Sequence, residues 1–440
     1  MRVLIISDVC NPGWPSLPSV AYQYALAISK YADVVVATQI RNARNIEKTG
    51  MGNIKVVYIN TEKIAAPLYK LAVYLRGGKE KGWAIQTAMD YPSYLVFEWY
   101  VWRHFRKDLK NKKFDVVHRI TPMSTLLPSF MAKRCPVPFL LGPINGNLPW
   151  PNKVVPVMKK EMIRGERFVS SILKAYRKFP YYKSTYKNSA GILACFSHTV
   201  NGLPKKVKSK IINFPEVGFD PKLFSISTSL PKKQMTIIFV GRLVPLKLPD
   251  ILVRAFSKSK ILRQHKLVFV GDGPERTNLQ KLAANYSLAD CIEFKGQLPL
   301  SEVSKLMRQS DIFAFPSVHE LGGGVVIEAM ACGLACVVID FGGPGTLVSN
   351  NCGIKIPLGT AENICSQFQN ELERLVSDPE RAQKMGIAAN KHAMTYYTWD
   401  AKARKTLEIY SWLIGKQKNK PEYWDQPVYQ QSPELIELKS

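Results

Sequence analysis

Ile312-Phe313-Ala314-Phe315-Pro316-Ser317-Val318-His319-Glu320-Leu321-Gly322-Gly323-Gly324-Val325-Val326-Ile327-Glu328-Ala329-Met330-Ala331-Cys332-Gly333 is the stretch on which the fold turns. A four-residue apolar run, Ile312–Phe315, reads as a buried strand. A polar segment and a glycine triplet follow, and Val325–Cys332 reads as a helix. A strand that ends in glycine and feeds a helix forms an anion site, because the first turn of the helix leaves N–H groups unpaired at the positive end of its dipole. Glu320 stands before the loop and Glu328 about one turn inside the helix. A carboxylate accepts two hydrogen bonds side by side, which suits a vicinal diol. The plainer alternatives are a loop salt bridge for Glu320 and a helix-dipole partner for Glu328.

The same rhythm extends on both sides. Upstream come the strand Thr236–Val240, the helix Pro249–Phe256, the strand Lys266–Val270, the helix Glu275–Tyr286, the strand Ile292–Phe294 and the helix Ser301–Gln309. Downstream lies the strand Ala335–Ile339. Strands alternating with helices predict a parallel α/β sheet. The first half opens with another such unit: strand Val3–Ser7, helix Val20–Lys30 and strand Asp33–Thr38, with further strands at Phe114–His118, Pro138–Gly142 and Gly191–Cys195. We therefore expect an α/β protein of two Rossmann-like domains whose parallel sheets face a central cleft. The domains are placed at 1–220 and 221–396, followed by a last helical segment, Ala401–Leu413, and a loosely ordered tail over 415–440.

Two further strand ends carry chemistry. After Val240 comes Gly241-Arg242-Leu243-Val244-Pro245-Leu246-Lys247, whose two cations can clamp a diphosphate, arginine by its fork and lysine as a point charge. After Val270 comes Gly271-Asp272-Gly273-Pro274-Glu275, a tight turn where backbone can approach a ligand, or an ordinary strand-to-helix turn.

Together, Glu320-x7-Glu328, the Glu328–Gly333 helix, Gly241-Arg242-Leu243-x3-Lys247 and Val270–Glu275 resemble glycosyltransferase family 4, closely over 236–358 and less closely over the first domain. The resemblance implies a GT-B fold and a retaining, metal-independent transfer of sugar from a nucleotide-diphosphate sugar to a hydroxyl of a glycan or lipid-linked acceptor. No cofactor is implied beyond the donor, and no Asp-x-Asp motif suggests a metal. It implies that Arg242 and Lys247 hold the diphosphate, that the Gly323 and Gly324 amides lie near the phosphates, and that Gly241, Gly271, Gly273, Gly322 and Val325 bind the donor. It implies further that Glu328 binds the ribose and Glu320 the transferred sugar. In the first domain, His118 at a strand end resembles the family's histidine facing the donor sugar, while Gly13, Gly142, Asn145 and Gly146 fall in loops on the acceptor side. Three places depart from the family pattern: Asn11–Pro15 replaces a Gly-Gly pair, Phe341–Thr346 lacks an acidic residue near its end, and Leu321–Gly324 replaces Gly-Phe-Gly. The runner-up activities are a nucleotide-sugar epimerase and a glycan phosphorylase.

Composition narrows the partners. The chain has 440 residues and a net charge of +27. Residues 1–220 hold 34 Lys/Arg against 13 Asp/Glu, so most of the excess lies there. Such a field favours an anionic partner. No nucleic-acid motif accompanies it, and a nucleic-acid-binding protein is the reading set aside. Two basic, aromatic stretches, Tyr94–Lys113 and Val154–Lys187, have apolar residues at helical spacing and can dock on an anionic membrane surface or bind an acidic glycan. With no apolar run of membrane-spanning length and no leader-like N-terminus, the expected location is cytoplasmic, peripheral on the inner face of a membrane. The eight cysteines show no paired spacing and are expected to be free thiols.

Overall fold

The computed structural model describes residues 1–76, 83–149, 151, 176–178, 180–226 and 233–423. Its first sheet joins seven parallel strands: β1 (Arg2–Ser7), β2 (Asp33–Gln39), β3 (Lys55–Ile59), β4 (Val116–Thr121), β5 (Phe139–Leu141), β6 (Gly191–Leu193) and β7 (Ile211–Ile212), in the order β3-β2-β1-β4-β5-β6-β7. Among its helices are α1 (Leu17–Ser29), α2 (Ala43–Thr49), α3 (Glu62–Arg76), α4 (Trp83–Lys110), α5 (Tyr182–Asn188) and α6 (Ser197–Asn201). The expected basic helix at Tyr94–Lys113 is the C-terminal part of α4. Most of the expected Val154–Lys187 helix lies outside the described residues.

The second sheet contains β8 (Thr236–Val240), β9 (Lys266–Val270), β10 (Ile292–Gly296), β11 (Ile312–Phe315), β12 (Ala335–Ile339) and β13 (Gly353–Ile356), ordered β10-β9-β8-β11-β12-β13. Its helices are α7 (Asp250–Lys258), α8 (Arg276–Asn285), α9 (Leu300–Gln309), α10 (Gly324–Ala331), α11 (Gly342–Leu347), α12 (Ala361–Ser377) and α13 (Pro379–Tyr396). All strand pairs in both sheets are parallel. The order is that of a doubly wound dinucleotide-binding sheet, with the switch point between its first and fourth strands. Here that point falls between β8 and β11. The central strands are buried on both faces, which is why they read as uninterrupted apolar runs.

The last helix among the described residues, α14 (Trp399–Leu413), returns to the first domain. Thr398 caps it through Ala401 N, and it packs along α1, where Tyr24 Oη and Thr406 Oγ1 are 2.5 Å apart. Lys402, fully buried, donates to the Pro215 carbonyl in the segment between the two sheets and lies 4.0 Å from the centre of the Phe214 ring. Between α14 and Tyr423 the chain packs back on the fold, and the rest of the expected loose tail lies outside the described residues. Lys420 Nζ donates to Ile211 O at 3.0 Å, and Tyr423 is buried, its hydroxyl bonded to the Tyr396 carbonyl and its ring 4.9 Å from that of Phe214. The aromatic ring gives this otherwise polar segment something to bury. All eight cysteines are free.

Candidate active site

The loops at the C-terminal ends of the second sheet's strands stack on one another by backbone contact. Gly241 has φ +154°, Gly271 +125° and Gly273 +158°. A β-carbon on Gly271 would strike the Gly241 carbonyl, and one on Gly273 the Leu243 carbonyl. Leu243 N donates to Asp272 O at 2.9 Å and Glu275 N to Leu243 O at 3.0 Å. The glycines of the 271–275 turn thus bring backbone against backbone and fix the 241–247 loop. Asp272 accepts from Gly273 N at 2.7 Å and pairs with Arg276, and the Gly273 bond first and then Arg276 hold its carboxyl below the usual range.

The fixed loop delivers Lys247 to the switch point. Lys247 Nζ lies 3.1 Å from Glu320 Oε2 and 4.8 Å from the centre of the Phe315 ring, with Gly241 directly beneath. Both side chains are mostly covered. Val318 N donates to Leu246 O at 3.0 Å, tying the loop after β11 to the loop after β8. Gly343 N donates to Glu320 O at 2.9 Å, which binds in the loop after β12. The loop salt bridge considered for Glu320 exists, and its partner is the lysine expected at the diphosphate.

Past Glu320 the chain reaches Gly322 and Gly323, the latter at φ +71°, and enters α10 at Gly324 and Val325. Glu328 follows one turn later, half-buried, and among the described residues its carboxylate has no partner. Desolvation pushes its pKa up to about 8. A carboxyl left this way in low dielectric is available to a hydroxyl-bearing ligand. Arg242 is exposed beside Gly241 and forms no ion pair among the described residues.

The first domain meets this loop system. Gly142 has φ +115°, and a β-carbon there would approach the Leu193 carbonyl to 2.5 Å. Beyond it, Asn145 Oδ1 accepts from Gly146 N at 2.7 Å and Thr199 Oγ1 at 3.0 Å, and lies 3.3 Å from His198 Nε2. His319, from the second domain, hydrogen-bonds the Leu148 backbone and lies close enough to His198 to disfavour its charge. Burial is the larger influence on His198 and pushes its pKa down to about 4. Between the domains, Glu216 is 7% exposed, faces the Asn145 amide, and has its carboxyl on Gly322. No motif or spacing in the sequence marks Glu216, His198 or His319 as site residues. The only signal was an acid set among apolar residues, Phe214-Pro215-Glu216-Val217.

His118 does not occupy the expected position. Its ring is fully buried, with Nδ1 2.6 Å from Tyr410 Oη and Nε2 2.7 Å from Gly142 O. A carbonyl only accepts, so Nε2 carries the proton and Nδ1 accepts from the tyrosine. Burial lowers its pKa to about 4. The histidine ties α14 to β4 and the loop after β5. Gly13 sits in an exposed loop on the same sheet's rim, its N–H held by Asn11 Oδ1 at 2.9 Å. Among the described residues no three or more His, Cys, Asp or Glu side chains are grouped to hold a metal.

Residues 222–392 match the model of a family described as glycosyl transferases group 1. D-inositol 3-phosphate glycosyltransferases from Thermomonospora curvata and Streptomyces bingchenggensis are 33% and 32% identical to the chain over 193 residues, which is 41% of this chain in both cases and 44% and 41% of those proteins. The matched stretch spans less than half of the relatives' own length. Among solved structures, HepE of Anabaena in complex with UDP is 17% identical, with 93% of this chain and 99% of that one covered and a TM-score of 0.57. Sucrose-phosphate synthase from Thermosynechococcus elongatus, also 17% identical, covers 94% and 100% with a TM-score of 0.59. At these identities the likeness to the solved structures is one of fold, a two-domain GT-B architecture, and residues 222–392 are similar to the glycosyl transferases group 1 family.

Proposed function

We propose that this chain is a glycosyltransferase that moves a sugar, with retention and without a metal, from a nucleotide-diphosphate sugar to a hydroxyl of a glycan or lipid-linked acceptor. The observation that carries the reading is the Lys247–Glu320 pair at the switch point of the second sheet, beside the glycine entry to α10. Ligands of such sheets bind in the crevice at this point. Lys247, Arg242 and the amides leading into α10 stabilise the diphosphate as negative charge develops on it during bond cleavage. Glu328 takes the ribose hydroxyls and Glu320 the sugar. The departing phosphate accepts the acceptor's proton, so no side-chain base is assigned. The UDP bound in HepE makes a uridine nucleotide the first donor to try.

The acceptor side supports a membrane-bound substrate. α3 exposes Ile64, Leu71 and Tyr74, and α4 exposes Trp99 and Tyr100, with Lys63, Lys70, Arg103, Arg106 and Lys107 among them. Aromatic and aliphatic side chains mixed with cations suit an anionic interface. Among the described residues no helix is long and apolar enough to cross a membrane.

The test is a panel of UDP-, GDP- and ADP-sugars scored for thermal stabilisation, then for slow hydrolysis of the one that binds. NMR of the released sugar, read before mutarotation, reports the anomer, and chelation by EDTA tests metal independence. Failure of every nucleotide sugar to stabilise the protein would overturn the assignment.

A further inference from the structure

Glu216 is the charged side chain nearest the glycine loop that the proposed chemistry leaves unused. It belongs to the segment joining the sheets, and its neighbours come from every side of the cleft. A β-carbon on Gly322 would collide with its Oε1, so the carboxyl lies flat on the loop that opens α10. The adjacent Val217 packs over Gly324, 3.0 Å from where a β-carbon there would stand. Asn145 of the first domain faces the carboxyl, and the side chain is more than nine-tenths buried.

The charges around it are unbalanced. Glu320 is close enough to disfavour its ionisation, and the cation beside Glu320, Lys247, is already paired with it. Lys402 favours ionisation from α14 but donates its hydrogen bond to the Pro215 carbonyl, and Glu216 has no ion pair among the described residues. His198, on α6, and His319, on the loop after β11, resist charge through burial. Desolvation is the largest influence and lifts the Glu216 pKa to about 7. Lys402, also desolvated, is lowered to about 7. A carboxylate lying on a phosphate-binding loop repels a diphosphate, whereas a carboxylic acid in the same place donates a hydrogen bond to it.

We propose that Glu216 is a donor-site residue: in its protonated form the carboxyl on Gly322 hydrogen-bonds a phosphate oxygen of the bound nucleotide sugar, so that donor binding takes up a proton. This rests on the nucleotide-sugar reading above. It also explains the glycine at 322, since a side chain there would displace the acid from the loop. No bond to the proton breaks; the acid remains a donor as charge accumulates on the leaving phosphate.

The test titrates the full-length protein with UDP-, GDP- and ADP-glucose from pH 6 to 9. These diphosphates are esterified at both ends and do not themselves titrate in that range. Binding of one of them is measured calorimetrically in two buffers of different ionisation enthalpy. For the wild type we expect uptake of up to about one proton near neutral pH and affinity falling about tenfold per pH unit above the carboxyl's pKa. Glu216→Gln keeps the volume and an N–H donor, and is expected to bind with neither uptake nor this pH dependence. Lys402→Met is expected to retain both. The proposal is overturned if E216Q keeps the wild-type pH profile, if K402M alone abolishes the uptake, or if E216Q, folded by circular dichroism, loses binding at every pH. If no nucleotide sugar binds the wild type, the underlying nucleotide-sugar reading fails first, which separates the two failures.

Discussion

Lys247 and Glu320, from different loops of one sheet, meet at 3.1 Å over the edge of β11. The ion pair fixes both side chains at the switch point, where the proposed reading sets the diphosphate and the sugar. Partly exposed pairs add only about 0–1 kcal/mol to stability, so the contact serves position more than folding. Lys247→Ala should lower kcat/KM by on the order of 100- to 1000-fold, the range for removing one stabiliser of developing negative charge, while the melting temperature moves little. Steady-state kinetics with the donor identified by the nucleotide-sugar panel checks this. An unchanged kcat/KM would refute the clamp.

Glu328 gives a pH signature. Its folded pKa, about 8, exceeds the ordinary value of 4.5. Between those limits the folded state binds more protons than the unfolded state, so this residue's contribution to stability falls as pH rises through the window. Glu328→Gln removes that dependence. Relative to wild type, the variant should melt at increasingly higher temperature from pH 5 to pH 8, and should bind donor more weakly because the amide replaces one of the two acceptor oxygens with a group that only donates. Parallel melting curves at all pH values would contradict it.

His118 behaves in the opposite sense. Its folded pKa of about 4 lies below the ordinary 6.5, so the unfolded state binds the extra proton and stability declines as pH falls from 6.5 toward 4. Tyr410→Phe strands the buried Nδ1 acceptor and should cost about 1–3 kcal/mol in urea unfolding at neutral pH. Turnover per folded molecule should stay near wild type. A large loss of turnover with full stability would return His118 to the reaction.

The exposed face of α3 and α4 predicts salt-sensitive adsorption. Full-length protein should cosediment with vesicles containing phosphatidylglycerol at low ionic strength and be released by about 0.5 M salt, where the Debye length falls below that at physiological salt. Leu71→Ser with Tyr74→Ser should weaken binding without changing hydrolysis of a soluble donor. Binding equal to that on purely zwitterionic vesicles would exclude an anionic interface.

How much of this was legible varies with burial. Strands β8, β9, β11 and β12 are covered on both faces, so each appears in the sequence as an apolar run, and the glycines that end them mark the turns. The edge strands β3, Lys55–Ile59, and β13, Gly353–Ile356, carry lysines and are only partly covered, and they went unread. Tyr423 lies in a polar stretch whose one buried ring gave no periodic signal. His118 looked like a site residue because strand ends of such sheets host ligands. Only the docking of α14 shows its two nitrogens already committed.

The sequence alone settled the alternation of strand and helix, and hence two parallel sheets, together with the residues that carry charge at their strand ends. These are consequences of local period and of which side chains water excludes. The tertiary structure decided which of those charges meet. Lys247 with Glu320, Glu216 on Gly322, and His118 away from the cleft all depend on contacts between segments far apart in the chain, and no local pattern encodes a distance across a fold.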